Sequence, residues 1–330
     1  MKSFKNIWLY VSLICGLCLY SCDVHEFPYP VEIEYTLHLD YNTELPLHKV
    51  VEYYEDVPKS STKSSDFDIR YIIEATPVSS ELEPERFIFT QDDTENLNNK
   101  FTLNLMEGEY IFKIWTDYIP SGNEDDLFYN TEHFENICLT EGEYTGSSDW
   151  KDAFKGYITS TLSVDNTSDT VSMKRPVAKF NFISTDVDKF ITKVAALAGT
   201  KNGESNIDLS DYTIVFAYQG FVPSSFNMDT DKPGDSKTNL AFKSKISVFT
   251  DTEAELGFDY IFVHDYETIV TVAIGVYDNE GKLFSQFRPV DVPLMRSKLT
   301  TVKGNFLTAE TGGSVGILPD FEGDFNIEIK

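Results

Sequence analysis

The chain has 330 residues, with 54 acidic and 27 basic side chains and a formal net charge of −27 at pH 7. So acidic a surface repels nucleic acid and anionic lipid, and no basic patch reverses the sign locally. Its 25 Phe and 18 Tyr exclude the disordered acidic class, which lacks aromatics, and favour strands, where such rings pack on a half-buried pleat.

The N-terminus reads as an export address. Lys2 and Lys5 precede an apolar run from Ile7 to Tyr20, 14 residues interrupted only by Ser12 and Gly16. Crossing a bilayer takes about 20 apolar residues, so the run has the length and flanks of a removable signal instead. Leu19-Tyr20-Ser21-Cys22 resembles a lipobox, in which the chain is cut before the cysteine and the new N-terminus is acylated. Cys18 fits this role less well, because bulky Leu17 precedes it. Each buried methylene of an acyl chain contributes about 0.8 kcal/mol, so several chains on Cys22 make a durable tether. The expected layout is a signal peptide over 1–21, a lipidated tether over 22–30 and a mature chain of 309 residues, long enough for two domains. Besides Cys22, that mature chain keeps Cys138 alone. No internal disulfide is therefore expected, and the fold must rest on core packing.

From Val31 the pattern alternates. Ile33, Tyr35, Leu37 and Leu39 share one face of a strand while Glu34, Thr36 and His38 take the other. A polar loop over 55–66 follows, then strands over 67–75 and 86–90. Phe101 to Tyr118 holds two alternating runs around Glu107-Gly108 and reads as a hairpin. Strand character weakens over 131–157. The polar segment 163–170 is the expected boundary between domains of 31–170 and 171–330. The second half opens with alternation over 174–183. Residues 186–198 carry a helical stripe of Val187, Phe190, Ile191, Val194 and Leu197. Strands then recur over 212–218, 258–264 and 268–277, and Asp278 to Gly281 turns the last of these into 282–287. Phe321, Phe325, Ile327 and Ile329 alternate with charged and polar residues at the C-terminus. Many short strands with regular turn signals predict an all-β fold of antiparallel sandwiches.

Chemistry is sparse. There is no phosphate loop, zincin helix or nucleophile elbow, and the five histidines are too scattered to share a metal. Asp229-Thr-Asp231-Lys-Pro-Gly-Asp235 resembles part of a calcium loop but lacks the closing glutamate, so it reads as an ordinary acidic loop. No spacing singles out a pair of carboxylates for glycoside hydrolysis. Trp115 and Trp150 are read as core residues before they are read as sugar platforms. Cys138, with no partner base, reads as a buried small hydrophobe. No enzyme activity, cofactor or metal site is expected.

Four segments in order carry a resemblance: the lipobox with Cys22-Asp-Val-His-Glu-Phe-Pro28, Gly108 to Tyr118, Lys174-Arg-Pro-Val-Ala-Lys179, and Arg296 to Thr308. Together they resemble the fimbrillin-like lipoproteins of Bacteroidales, the group that includes fimbrium anchoring subunits. The resemblance spans nearly the whole mature chain. It implies two tandem transthyretin-like sandwiches and a palmitate-bearing lipid anchor on Cys22 in the outer membrane. It also implies surface display, a role in adhesion, and pilus-like fibres joined to other fimbrial subunits by donor-strand addition. In that scheme an extended segment fills an open sheet edge, and Phe321, Phe325, Ile327 and Ile329 are the candidate strand-exchange residues. Equally, they read as the last strand of their own sandwich. Stalk subunits of the family are cut at an arginine ahead of the first strand, whereas the first arginine here is Arg70, inside a predicted strand. An anchor or accessory subunit is thus the implied type. The alternative is a surface glycan-binding lipoprotein of a polysaccharide-uptake system, with aromatics on a sandwich face for a glycan or host ligand.

Overall fold

The computed structural model describes residues 31–52, 66–92, 96–197, 207–309, 315–316 and 328–329. The first half contains β1 (Glu32–Tyr41), β2 (Leu47–Glu52), β3 (Phe67–Pro77), β4 (Glu85–Gln91), β5 (Lys100–Met106) and β6 (Gly108–Pro120). The short β7 (Tyr129–Asn130) and β8 (Ile137–Leu139) precede β9 (Phe154–Leu162) and β10 (Ser168–Met173). A three-stranded sheet ordered β10-β1-β5 faces a four-stranded sheet ordered β4-β3-β6-β9. The alternation of β1 does what its period of two demands. Ile33, Tyr35, Leu37 and Leu39 all point into the space between the sheets, none more than 4% exposed. Across from them lie Tyr71, Phe112 and Ile114, and Tyr35 stacks on Phe112 with ring centroids 5.4 Å apart.

The expected hairpin at Glu107-Gly108 is an arch instead. β5 pairs with β1 in one sheet, while β6 pairs with β3 and β9 in the other. Both runs alternate because both face the same core from opposite sides, a pattern that a hairpin and an arch share. Gly108 is not among the glycines with positive φ, so the turn does not draw on that freedom.

The second half comprises β11 (Val177–Ser184), α1 (Val187–Leu197), β12 (Thr213–Gln219), the short strands β13 (Val222–Pro223), β14 (Ser225–Asn227), β15 (Lys232–Pro233) and β16 (Ser236–Lys237), then β17 (Ala241–Lys245) and β18 (Ser247–Val248). It continues with β19 (Ala254–Phe262), β20 (Thr268–Tyr277), β21 (Leu283–Leu294), β22 (Leu299–Gly304), β23 (Val315–Gly316) and β24 (Glu328–Ile329). Its two sheets reproduce those of the first half. The run β22-β11-β19 matches β10-β1-β5, and β17-β12-β20-β21 matches β4-β3-β6-β9. Even the parallel pairing of first strand with last recurs. The chain is therefore an all-β protein in which one seven-strand sandwich plan occurs twice. Gly281, at φ +77°, supplies the left-handed residue of the β20–β21 hairpin.

The predicted helix forms, but only its first turn is core. Val187 and Phe190 are buried, and Phe190 meets Tyr212 and Phe284 edge-on at 4.8 and 5.0 Å. By the C-terminal end of the stripe, Leu197 is 71% exposed.

The sandwiches meet through the outer face of β3 and β6. Ile72 and Trp115 point away from the first core and join Val177, Phe226, Tyr260 and Phe262 of the second half in a shared cluster. Trp115 is fully buried there, edge-on to Tyr129 at 5.5 Å. Burying each such side chain stabilises the junction by about 2 kcal/mol. β8 also pairs with β14, so main-chain bonds cross between the halves.

Candidate functional site

Of the residues singled out in sequence, Cys22, Phe321, Phe325 and Ile327 lie outside the described residues. Ile329 belongs to β24, which pairs with β23 through Val315↔Ile329 and Gly316↔Glu328. Arg70 is 3% exposed within β3, where its guanidinium donates to both oxygens of Asp117 at 3.0 and 2.8 Å and to the carbonyl of Glu124. Trp115 is core. Trp150 is half-buried against Phe67 and Tyr118 and reaches a cleft described below. Cys138 is half-buried rather than buried, in β8 between β14 and β7, opposite Ser225 on one side and Asn130 on the other.

Sequence reading missed a strand exchange inside the chain. β2, from the first half, adds to the second sandwich as a parallel neighbour of β22, in a register running from Leu47↔Leu299 to Glu52↔Lys303. Arg175, 3% exposed at the passage between the sandwiches, steers the segment there. It donates to the carbonyls of Asn42, Thr43 and Glu44 at 3.2, 3.0 and 2.9 Å, and holds both oxygens of Asp152 at 2.7 and 2.9 Å. No local signal announces this clamp, since the guanidinium meets its carbonyl partners only when residues 42–44 fold against it.

Charge is concentrated where the halves meet. The Lys151 ammonium, 2% exposed, spends its three donors on Asp259 Oδ1 at 2.5 Å, Thr145 O at 2.9 Å and Tyr144 Oη at 3.1 Å. Asp259 Oδ2 accepts from the hydroxyls of Tyr144 and Tyr218 at 2.7 and 2.6 Å. Burial pushes the lysine below its usual range, with Asp259 opposing the shift. The same burial, reinforced by Asp259, holds both tyrosines well above theirs. A second strap is the loop that resembled a calcium site. Asp231 bridges Lys155 at 2.5 Å and Arg296 at 2.8 Å, and Asp229 binds Lys113 at 2.5 Å. Those carboxylates are thus matched by cations of both halves. Among the described residues no three His, Cys, Asp or Glu side chains form a metal-holding group.

Beside this junction opens a cleft of about 590 Å³. Its floor is built where residues 146–149 of the first half run against β17 and β19. Ser147 N donates to Phe258 O at 2.7 Å, Phe258 N donates to Ser147 Oγ at 3.2 Å, and Ser147 Oγ donates to Ser244 Oγ at 3.0 Å. The approach is so close that a Cβ on Gly146 would stand 2.5 Å from the Phe242 ring. Lys179 closes one side, paired with Asp149 at 2.7 Å and lying 4.0 Å over the Phe258 ring. Glu255 lines the wall, its carboxyl raised by burial against the pull of Asn181 and Lys179. Trp150, Lys243 and Lys245 complete it.

A family model described as a family of unknown function, DUF6562, matches residues 29–330. No curated protein matches the chain. Among solved structures, the chain is similar to a candidate adhesin of Bacteroides thetaiotaomicron at 12% identity, over 92% of this chain and 100% of that one, with a TM-score of 0.41. It is similar to the fimbrial anchor protein Mfa2 of Porphyromonas gingivalis at 10% identity, over 77% and 82%, with a TM-score of 0.36. A candidate cell adhesion protein of Bacteroides eggerthii aligns at 11% identity over 90% and 95%, with a TM-score of 0.39. Likeness at this distance assigns no residue a role.

Proposed function

We propose that this chain, which belongs to the family DUF6562, is a non-enzymatic surface lipoprotein acting in adhesion as an anchor or accessory subunit of a fimbria. The observation that carries the reading is the addition of β2 to β22. There, a segment from outside the second sandwich extends its sheet through main-chain bonds, which any extended chain can supply. Assembly between molecules needs the same event with the strand coming from a neighbour, and residues 321–330 are the candidate donor. Arg70, buried and held by Asp117 along its Nε and Nη2 edge and by Asp126 at Nη1, offers a protease no purchase on the folded chain. β1 and whatever precedes it therefore stay attached, which suits a cell-bound subunit more than a shaft subunit. With signal peptide 1–21 removed, the acylated tether 22–30 would moor the two sandwich domains to the outer membrane.

Mooring is tested by Cys22→Ala. The variant is expected to leave the membrane fraction, lose its acyl mass and stop carrying other fimbrial subunits with it on detergent extraction. Membrane partition equal to that of the parent chain would sink the anchoring claim.

A further inference from the structure

We propose that the cleft between the sandwiches binds a neutral oligosaccharide. Its volume of about 590 Å³ falls in the range of small-molecule sites, roughly 300–1,000 Å³, and it lies between two packed bodies, where such sites concentrate. Neither half forms it alone, since Trp150 and Asp149 come from one sandwich and Lys179, Ser244 and Glu255 from the other.

The lining selects the ligand class. An apolar ligand would strip water from the carboxylates, amines and hydroxyls of the wall and return no hydrogen bond, a cost of about 1–3 kcal/mol for each neutral group so left short. An anion fares no better. Lys179 is matched by Asp149, and Lys245 donates to Ser210 O at 2.7 Å and Thr213 Oγ1 at 3.2 Å. Three lysines, Lys179, Lys243 and Lys245, thus face two carboxylates, Asp149 and Glu255, a surplus of one positive charge, which is small against a chain whose net charge of −27 repels polyanions at range. A sugar hydroxyl both gives and takes a hydrogen bond, and a sugar ring has an apolar C–H face. Acceptors at Asp149 and Glu255, donors at Lys179 and Lys243, and the Ser147 and Ser244 hydroxyls all line the one cleft. Trp150 and Phe258 supply flat apolar surface beside them. Ser147 itself is held at φ 51°, a left-handed conformation costing a serine about 1–2 kcal/mol. Its bonds to Phe258 and Ser244 keep it there and place its hydroxyl at the floor.

This inference goes beyond mooring and assembly, because it requires only the folded mature chain. The test titrates that chain with maltotriose, mannotriose and galactotriose, with trigalacturonic acid as the charged control, reading the indole resonances of Trp150 and Trp115. At least one neutral trisaccharide is expected to saturate the Trp150 signal and leave buried Trp115 unmoved. Lys243→Met, an exposed substitution that preserves the fold, is expected to weaken binding about tenfold, and Trp150→Ala to abolish it. Saturation by none of the three, tighter binding of trigalacturonic acid, or affinity unchanged in Lys243→Met would overturn the proposal. Release of new reducing ends would overturn the non-enzymatic reading and leave the site in place. If Trp150→Ala unfolds, Lys243→Met decides alone.

Discussion

Replacing Asp259 with alanine is expected to destabilise the folded chain by about 3–5 kcal/mol, the cost of leaving a buried charge without its partner. Lys151 then keeps two neutral acceptors, Thr145 O and Tyr144 Oη, and no counter-charge. The hydroxyls of Tyr144 and Tyr218 lose their common acceptor in the same step. Because Lys151 belongs to the first half and Asp259 to β19 of the second, the loss falls on the junction. Urea unfolding should show the shift as a lower midpoint. Lys151→Met combined with Asp259→Leu removes both charges and is expected to recover most of the loss, since apolar replacement of a buried pair is often neutral or better. A single-variant cost below about 1 kcal/mol, the scale of an exposed pair, would show that the pair is not a latch.

Stability should fall steeply above pH 10. Tyr129, Tyr144, Tyr218 and Tyr260 are all held well above the usual phenol range, burial being the first cause in each and a neighbouring aspartate the next. Tyr277 is pushed up to about 12 by burial alone. Below pH 10 folded and unfolded chains both keep these protons, so the tyrosine contribution is intact. Above it the unfolded chain ionises while the folded chain does not, and each withheld phenol costs about 1.4 kcal/mol per pH unit. Lys151 and Lys155, lowered by burial, act in the opposite sense. Their contribution grows as pH rises towards the unfolded lysine value and is complete above it, so the alkaline limb belongs to the tyrosines. Urea midpoints at pH 9, 10, 11 and 12 would show the decline. Tyr144→Phe with Tyr218→Phe should flatten it, and an unchanged midpoint up to pH 12 would contradict the burial of these phenols.

Periodicity made the cores legible and left the connections dark. Ile33 to Leu39 declared a buried face because a strand repeats every two residues, and Phe190 declared a helix by recurring at three and four. Glu107-Gly108 misled, because alternation reports which way side chains point and not which strand lies alongside. The β2–β22 pairing joins residues some 250 positions apart, and no local signal announces so distant a partner. Asp117, Asp152 and Asp259 do structural work that 54 acidic residues hide, since each acquires meaning only beside Arg70, Arg175 or Lys151. The cleft was invisible for the same reason. Trp150 and Asp149 are neighbours in sequence, but Ser244 and Glu255 reach them only when one sandwich docks on the other.

Deleting residues 321–330 from the membrane-bound chain and recovering its cross-linked neighbours tests strand donation most directly. The expected result is a folded, still-moored protein, with an urea midpoint close to that of the full chain, that has lost its fimbrial neighbours. A truncated chain that unfolds, or one that keeps those neighbours at the original yield, would show that the terminal segment stays at home.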